Sequence, residues 1–172
     1  SAEFKKGTIE LIDGKIFKDI PLRYNIFNDN FEVANKGEAF GLEKNKRFLE
    51  FNMDDRIFRY ESYQMSAKKT LSGYLERLTE GEFTLYCKYN VSFSEAKKAA
   101  AYKEAVPATF KRLGPDYLLQ YRSGNIYRIN SLKDILKVFP EAETLVKEYS
   151  PKGKIRLRKK EDFVKLVEFL NK

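Results

Sequence analysis

Histidine and tryptophan are absent from this chain of 172 residues, and cysteine occurs once. Histidine is the usual proton carrier near neutral pH and the commonest metal ligand. Its absence excludes Ser-His-Asp and Cys-His catalysis and removes nearly all zinc sites. The lone Cys87 forms no intramolecular disulfide. Its place in the alternating run Phe83-Thr84-Leu85-Tyr86-Cys87-Lys88-Tyr89 predicts a small buried hydrophobe rather than a reactive thiol. Neither G-x-x-x-x-G-K-[ST] nor G-x-G-x-x-G occurs, so a nucleotide cofactor lacks its usual cradle. No stretch approaches the roughly 18 apolar residues of a membrane span. The chain opens on Ser1 without a Met, as a mature or trimmed form would. No cofactor and no metal is expected.

What is present is enough apolar and aromatic material for a core, 42% and 15% of residues. The aromatics are Phe and Tyr alone, which favours sheet. Most of residues 1–130 reads as short alternating strands separated by turn residues. Thr8–Ile12 and Lys15–Lys18 flank Asp13-Gly14, a pattern that predicts a type I′ hairpin with positive φ at both turn residues. Pro21 should end the second strand, and a third should run from Leu22 to Phe27. Turns follow at Asn28-Asp29-Asn30, Asn35–Glu38, Asn52–Asp55, Glu80-Gly81, Gly114–Asp116 and Ser123-Gly124, with alternating segments at Arg47–Phe51, Arg56–Tyr60, Tyr74–Thr79, Glu82–Tyr89, Tyr117–Arg122 and Asn125–Ile129. The expected architecture is an antiparallel meander, as a curved sheet or a partly closed barrel. Residues 92–107 are long for a hairpin loop and rich in Ala and Lys, and read as an irregular or helical excursion.

After Asn130 the apolar period lengthens. Ser131-Leu132-Lys133-Asp134 resembles a capping box with Asp in place of Glu, and Leu132, Ile135, Leu136 and Phe139 fall at helical spacing. A second run follows Pro140. A third carries Phe163, Val164, Leu166, Val167 and Leu170 behind the acidic first turn Glu161-Asp162. The chain is therefore read as one α+β domain over residues 1–172: a β-rich body to residue 130, then two or three helices packed on the sheet over residues 131–172.

The net charge of +8 is concentrated at one end: eight basic residues face three acids between Tyr149 and Lys172. In Lys154-Ile155-Arg156-Leu157-Arg158-Lys159-Lys160 cations alternate with aliphatic residues, so an extended chain there has one cationic and one apolar face. Arg156, Arg158, Lys159 and Lys160 are the candidate partner-binding residues, suited to an acidic protein face, an anionic lipid or nucleic acid. No aromatic for base stacking lies inside the run and no nucleic-acid recognition signature is present, which weighs against nucleic acid. The carboxylate pairs Asp54-Asp55, Glu80/Glu82 and Glu141/Glu143 are surface or turn acids rather than a hydrolytic pair. Asn28-Asp29-Asn30 lacks the glycine and distal glutamate of a calcium loop. A curled sheet could also hold an apolar ligand, although a filled interior is commoner.

Two stretches carry a resemblance. Lys6–Gly14 with Pro21–Asn25 form one, and Tyr117–Leu119, Ile126–Ile129, Leu132–Phe139 and Glu161–Val167 form the other. Together they resemble exported proteins of Bacteroidota bacteria that carry a signal peptide, a β-rich body and a helical end, a family with no assigned activity. The resemblance implies a periplasmic or secreted location and no catalytic residue. It makes a protein or acidic envelope component the expected partner. The function expected from these readings is a non-enzymatic interaction module, with an apolar-ligand carrier and a nucleic-acid binder as alternatives.

Overall fold

The computed structural model describes residues 3–96, 105–150 and 155–172. Twelve strands are present among them: β1 Lys5–Leu11, β2 Ile16–Asn25, β3 Asn30–Asn35, β4 Glu38–Gly41, β5 Phe48–Met53, β6 Arg56–Ser66, β7 Lys69–Arg77, β8 Phe83–Lys88, β9 Val91–Ser94, β10 Thr109–Arg112, β11 Asp116–Tyr121 and β12 Ile126–Ile129. Helices α1 Leu132–Val138, α2 Glu143–Tyr149 and α3 Lys160–Leu170 follow, with a 3₁₀ turn at Pro140–Ala142. Ten strands form one sheet in the order β12-β11-β8-β7-β6-β5-β1-β2-β3-β4, and β9 and β10 form a separate ribbon. The α+β meander expected from the sequence is the observed fold.

The eleven-residue β6 is the spine. One half of it pairs with β5 and the far half, at Tyr63 and Gln64, pairs with β12. That second pairing closes β6, β7, β8, β11 and β12 into a partly closed barrel. The closing pair is parallel, as it must be when an odd number of strands alternates in direction. Tyr63, Leu75, Tyr86, Leu118 and Ile126, one from each barrel strand, form a buried cluster that fills the interior. Alternation sends the next residues outward: Phe83, Leu85, Leu119 and Ile129 pack against Ile135, Phe163, Leu166 and Leu170 of the helices. The other face of β6 and β7 presents Phe58 and Tyr74 to a second core. There Phe31 stacks on Phe51 with ring centroids 4.3 Å apart. β6 and β7 are thus shared by two curled layers, and alternation gives each layer its own side chains.

Local geometry corrects several expectations. The Asp13-Gly14 hairpin exists, but only Gly14 has positive φ (83°). Gly14 N–H donates to Leu11 O and Leu11 N–H to Lys15 O, both at 2.9 Å. This is a three-residue loop closed by a left-handed glycine. The doubly left-handed turn lies instead at Asp54-Asp55, with φ of 54° and 59°, where Met53 pairs directly with Arg56. Pro21 does not end a strand: β2 runs through it from Ile16 to Asn25. Pro21 lies beyond the last β2–β3 pair and beside a register shift in β1, an irregular setting in which a strand tolerates a missing N–H. At residues 92–107 the irregular or helical reading gives way at its start to β9, which pairs with β10 through Phe93 and Phe110, while residues 95–96 and 105–107 lie outside both strands. The stretch 97–104 between them lies outside the described residues.

At the helical end, the Ser131 hydroxyl accepts from Asp134 N–H at 3.3 Å and starts α1. Asp162 accepts from the backbone N–H of Arg158 and Lys159 at the start of α3. These bonds draw its carboxyl below the usual range.

Candidate functional site

The β9–β10 ribbon leaves the barrel between β8 and β11. It is rooted by Leu113 N–H donating to Asn90 O at 3.0 Å and by Asn90 Nδ2 donating to Asp116 at 2.8 Å. Opposite residues of a ribbon share a face, so Val91, Phe93, Phe110 and Arg112 line one side while Ser92, Ser94, Thr109 and Lys111 line the other. The apolar side meets Phe27, from the turn after β2. Phe27, Phe93 and Phe110 form a three-ring cluster with centroid separations of 5.7, 5.0 and 4.8 Å. They remain 51%, 43% and 61% exposed. Three mutually packed rings at such exposure are unusual on a surface. A groove of about 540 Å³ runs beside them, lined by Tyr24, Ile26, Phe27, Val91 and Phe110, with Arg23 and Arg112 at its rim. Arg23 is held by Glu32, its Nε 2.8 Å from Oε2, and lies over the Phe4 ring. No ion pair engages Lys111 or Arg112 among the described residues.

The sequence-predicted cations lie elsewhere. Residues 155–158 belong to no helix or strand. Leu157 is buried in the helical core, while Arg156, Arg158 and Lys159 are exposed. Of the expected apolar face only Leu157 is buried; Ile155 is 39% exposed, so the alternation is realised in part. Lys160 turns away from the other three, its Nζ 3.7 Å from the buried Glu76 carboxylate. Glu76 also accepts from Arg56 at 2.8 Å and from the Tyr89 hydroxyl. Burial works to raise the Glu76 pKa, but these bonds prevail and hold it below the usual range. Neighbouring Cys87 is buried, and burial pushes its thiol up to about 11, so it is a packed side chain rather than a nucleophile.

A second buried ion pair joins the two layers. Pairing between β7 and β8 is confined to Glu76/Cys87 and Arg77/Tyr86. Beyond it the strands part, and the gap is filled by side chains. Lys88 and Asp29 form an ion pair there. Asp29 also accepts from the Tyr24 hydroxyl at 2.6 Å and from Tyr74 N–H at 3.3 Å, while Lys88 donates to Tyr74 O at 3.4 Å. Side chains thus stand in for a missing ladder. Gly73 makes the approach possible, because a Cβ there would overlap the Asp29 carboxylate. Burial depresses the Lys88 pKa despite Asp29, and burial, then Asp29, pushes Tyr24 far up.

The opposite barrel mouth is a polar pocket of about 290 Å³ with Arg59, Arg77, Glu61 and Gln120 in its lining. Both arginines are bound to Glu50. Burial raises the Glu61 pKa against the pull of Arg59 and Lys46. Among the described residues no group of three or more His, Cys, Asp or Glu is placed to hold a metal, and no helix is long and apolar enough to cross a membrane.

Comparison with known proteins finds no matching family model, no matching curated protein and no matching solved structure.

Proposed function

We propose that this chain is a non-enzymatic interaction module, acting outside the cytoplasm, that captures an acidic protein segment carrying an apolar anchor. The observation that supports this reading is the exposed Phe27-Phe93-Phe110 cluster beside a groove that Arg112, in no ion pair among the described residues, edges. Packed aromatic rings give contact area at low entropy cost, and arginines are enriched where binding energy concentrates. The cations of Arg156, Arg158 and Lys159 add long-range attraction for the same acidic partner. The apolar-carrier alternative has less support, because the barrel interior is occupied by its own five side chains.

The test is selection from a random-peptide display library, followed by titration of the enriched peptides. Enriched sequences should combine Asp or Glu with an aromatic or long aliphatic residue. Phe27→Ser with Phe110→Ser should cost about 2 kcal/mol or more of binding, the scale of an interface hot spot. Neutralising Arg156, Arg158 and Lys159 should flatten the salt dependence with a smaller loss. Enriched peptides that bind the Phe27/Phe110 variant unchanged would refute the groove as the site.

A further inference from the structure

The β1–β2 hairpin ends in a second apolar surface, separate from the ribbon and of different shape. Ile12 in the turn and Ile16 and Phe17 at the start of β2 are 69%, 53% and 47% exposed. Every residue from Ile12 to Asp19 is exposed, so this end of the hairpin stands clear of both cores. Ile16 and Phe17 are neighbours in a strand and point to opposite faces. The apolar groups therefore wrap the tip and line no groove. Cations stand around it. Ile12 N–H donates to Arg47 O at 2.9 Å, which seats the exposed Lys46-Arg47 pair beside the turn. Lys18 lies farther along β2. Lys15 is paired with Asp13 at 3.1 Å and Lys6 with Asp19 at 3.8 Å, so neither acid offsets the others, and the remaining acid of this end, Glu10 opposite Ile16, is half-buried.

An exposed apolar tip flanked by Lys18, Lys46 and Arg47 forms no pocket of its own. It suits a soft surface that yields around it while attracting basic side chains. We propose that the β1–β2 hairpin tip is a docking site for an anionic lipid surface, with Ile12, Ile16 and Phe17 entering the headgroup and acyl boundary. Lys18, Lys46 and Arg47 hold the charged layer above them. The basic flank gives the attraction at distance and the apolar tip gives the insertion. Neither suffices alone, since single weak membrane signals bind reversibly.

The absence of tryptophan supplies the probe. Phe17→Trp places one indole at the tip of an otherwise tryptophan-free chain. With vesicles mixing phosphatidylglycerol into phosphatidylcholine, its emission should shift to the blue and become shielded from an aqueous quencher. Pure phosphatidylcholine vesicles should give little shift. Ile12→Ser with Ile16→Ser in the Phe17→Trp chain should weaken vesicle binding about ten-fold or more. Circular dichroism would confirm that this exposed-site variant is folded. Flotation with anionic vesicles without an indole shift would overturn the proposal, because the attachment would then lie on another basic surface. A blue shift that depends on protein concentration and needs no vesicle would also overturn it in favour of a second copy of the chain. Failure of the peptide selection leaves this result untouched, since no groove residue is altered.

Discussion

The Asp29–Lys88 pair allows a quantitative test of how the two layers are joined. Asp29→Asn keeps the shape but leaves an ammonium buried beside neutral partners, the Tyr24 hydroxyl and Tyr74 O at 3.4 Å each. Removing one partner of a buried pair costs about 3–5 kcal/mol. Here the cost has a ceiling, because Lys88 can give up its proton. Against an ordinary lysine pKa of about 10.4, deprotonation at pH 7 costs about 4.6 kcal/mol. Lys88→Met leaves the Asp29 carboxylate, which keeps the Tyr24 hydroxyl at 2.6 Å and Tyr74 N–H at 3.3 Å. Asp29 also keeps contact with water, its side chain being 21% exposed against 9% for Lys88. Lys88→Met should therefore cost less, about 2 kcal/mol, and the double variant less than the two single losses together, with a coupling of about 2 kcal/mol. The sign of the pH dependence is fixed. In Asp29→Asn the folded-state lysine pKa lies below its unfolded value, so the unfolded chain holds more protons between the two. Stability then rises with pH across that window. The deficit of Asp29→Asn relative to the parent should shrink by up to about 1.4 kcal/mol per pH unit between pH 7 and 10. Urea unfolding followed by far-ultraviolet circular dichroism reads both quantities. An Asp29→Asn loss below about 1 kcal/mol, or one smaller than that of Lys88→Met, would refute the reasoning.

Two further outcomes follow from the buried tyrosines. The Tyr74 hydroxyl is buried without a hydrogen-bond partner among the described residues, so Tyr74→Phe should raise stability by about 1 kcal/mol in the same urea titration; a loss of that size would show an unseen partner. Burial pushes the Tyr24, Tyr74, Tyr86 and Tyr89 pKa values up, and that of Tyr63 to about 12. A raised folded pKa gives stability that is complete below the unfolded value near 10 and is lost above it. The parent chain should therefore lose stability steeply from about pH 10 toward pH 12, by more than the single Lys88 offsets with its opposite sign, and a flat midpoint across that range would contradict the burial of these phenols.

The meander and the helices were legible because their signals are local. Asp13-Gly14, Glu80-Gly81 and Ser123-Gly124 mark turns by backbone chemistry, and Leu132, Ile135 and Phe139 mark a helix by spacing. The far half of β6 with the start of β7, residues 61–73, was not legible. Ser62, Gln64, Thr70 and Ser72 are polar, and Gly73 has no side chain to report a face. They form strands because β6 is held on both edges, by β7 and by β12, a constraint from residues some sixty positions away. The short β4 and β9 escaped for the opposite reason, since four residues carry too little alternation. The candidate groove was unreadable because Phe27 meets Phe93 and Phe110 only after the ribbon folds back. Alternation around Phe93 and Phe110, on either side of the Ala- and Lys-rich stretch, was the one available signal. The alternation read in the basic segment holds at Leu157, which is buried, and not at Ile155, which is exposed. That Lys160 differs from Arg156, Arg158 and Lys159 depends on Glu76, which no local pattern places beside it.

The distribution of charge ties these observations together. The carboxylates of Asp29, Glu32, Glu50, Glu76 and Asp116 are each engaged by an internal cation. Those partners, Lys88, Arg23, Arg59, Arg56 and Arg128, are tied up inside the fold and are not available to steer a ligand. Among the described residues, exposed cations such as Lys36 and the Lys68-Lys69 pair sit at other turns, while those beside several exposed apolar side chains or in the basic segment are Lys18, Lys46, Arg47, Lys111, Arg112, Arg156, Arg158 and Lys159. They fall beside the hairpin tip, on the ribbon and before α3, and the first two places also expose large apolar side chains. Attraction at long range acts through exposed charge, and affinity at short range through desolvated apolar area. The tip and the ribbon each offer several exposed apolar side chains beside their charge, whereas the segment before α3 buries Leu157 and exposes only Ile155 (39%) among its cations. Neutralising the α3 segment should accordingly change association rates and salt dependence, while substitutions at the tip or ribbon should change how long a bound partner stays.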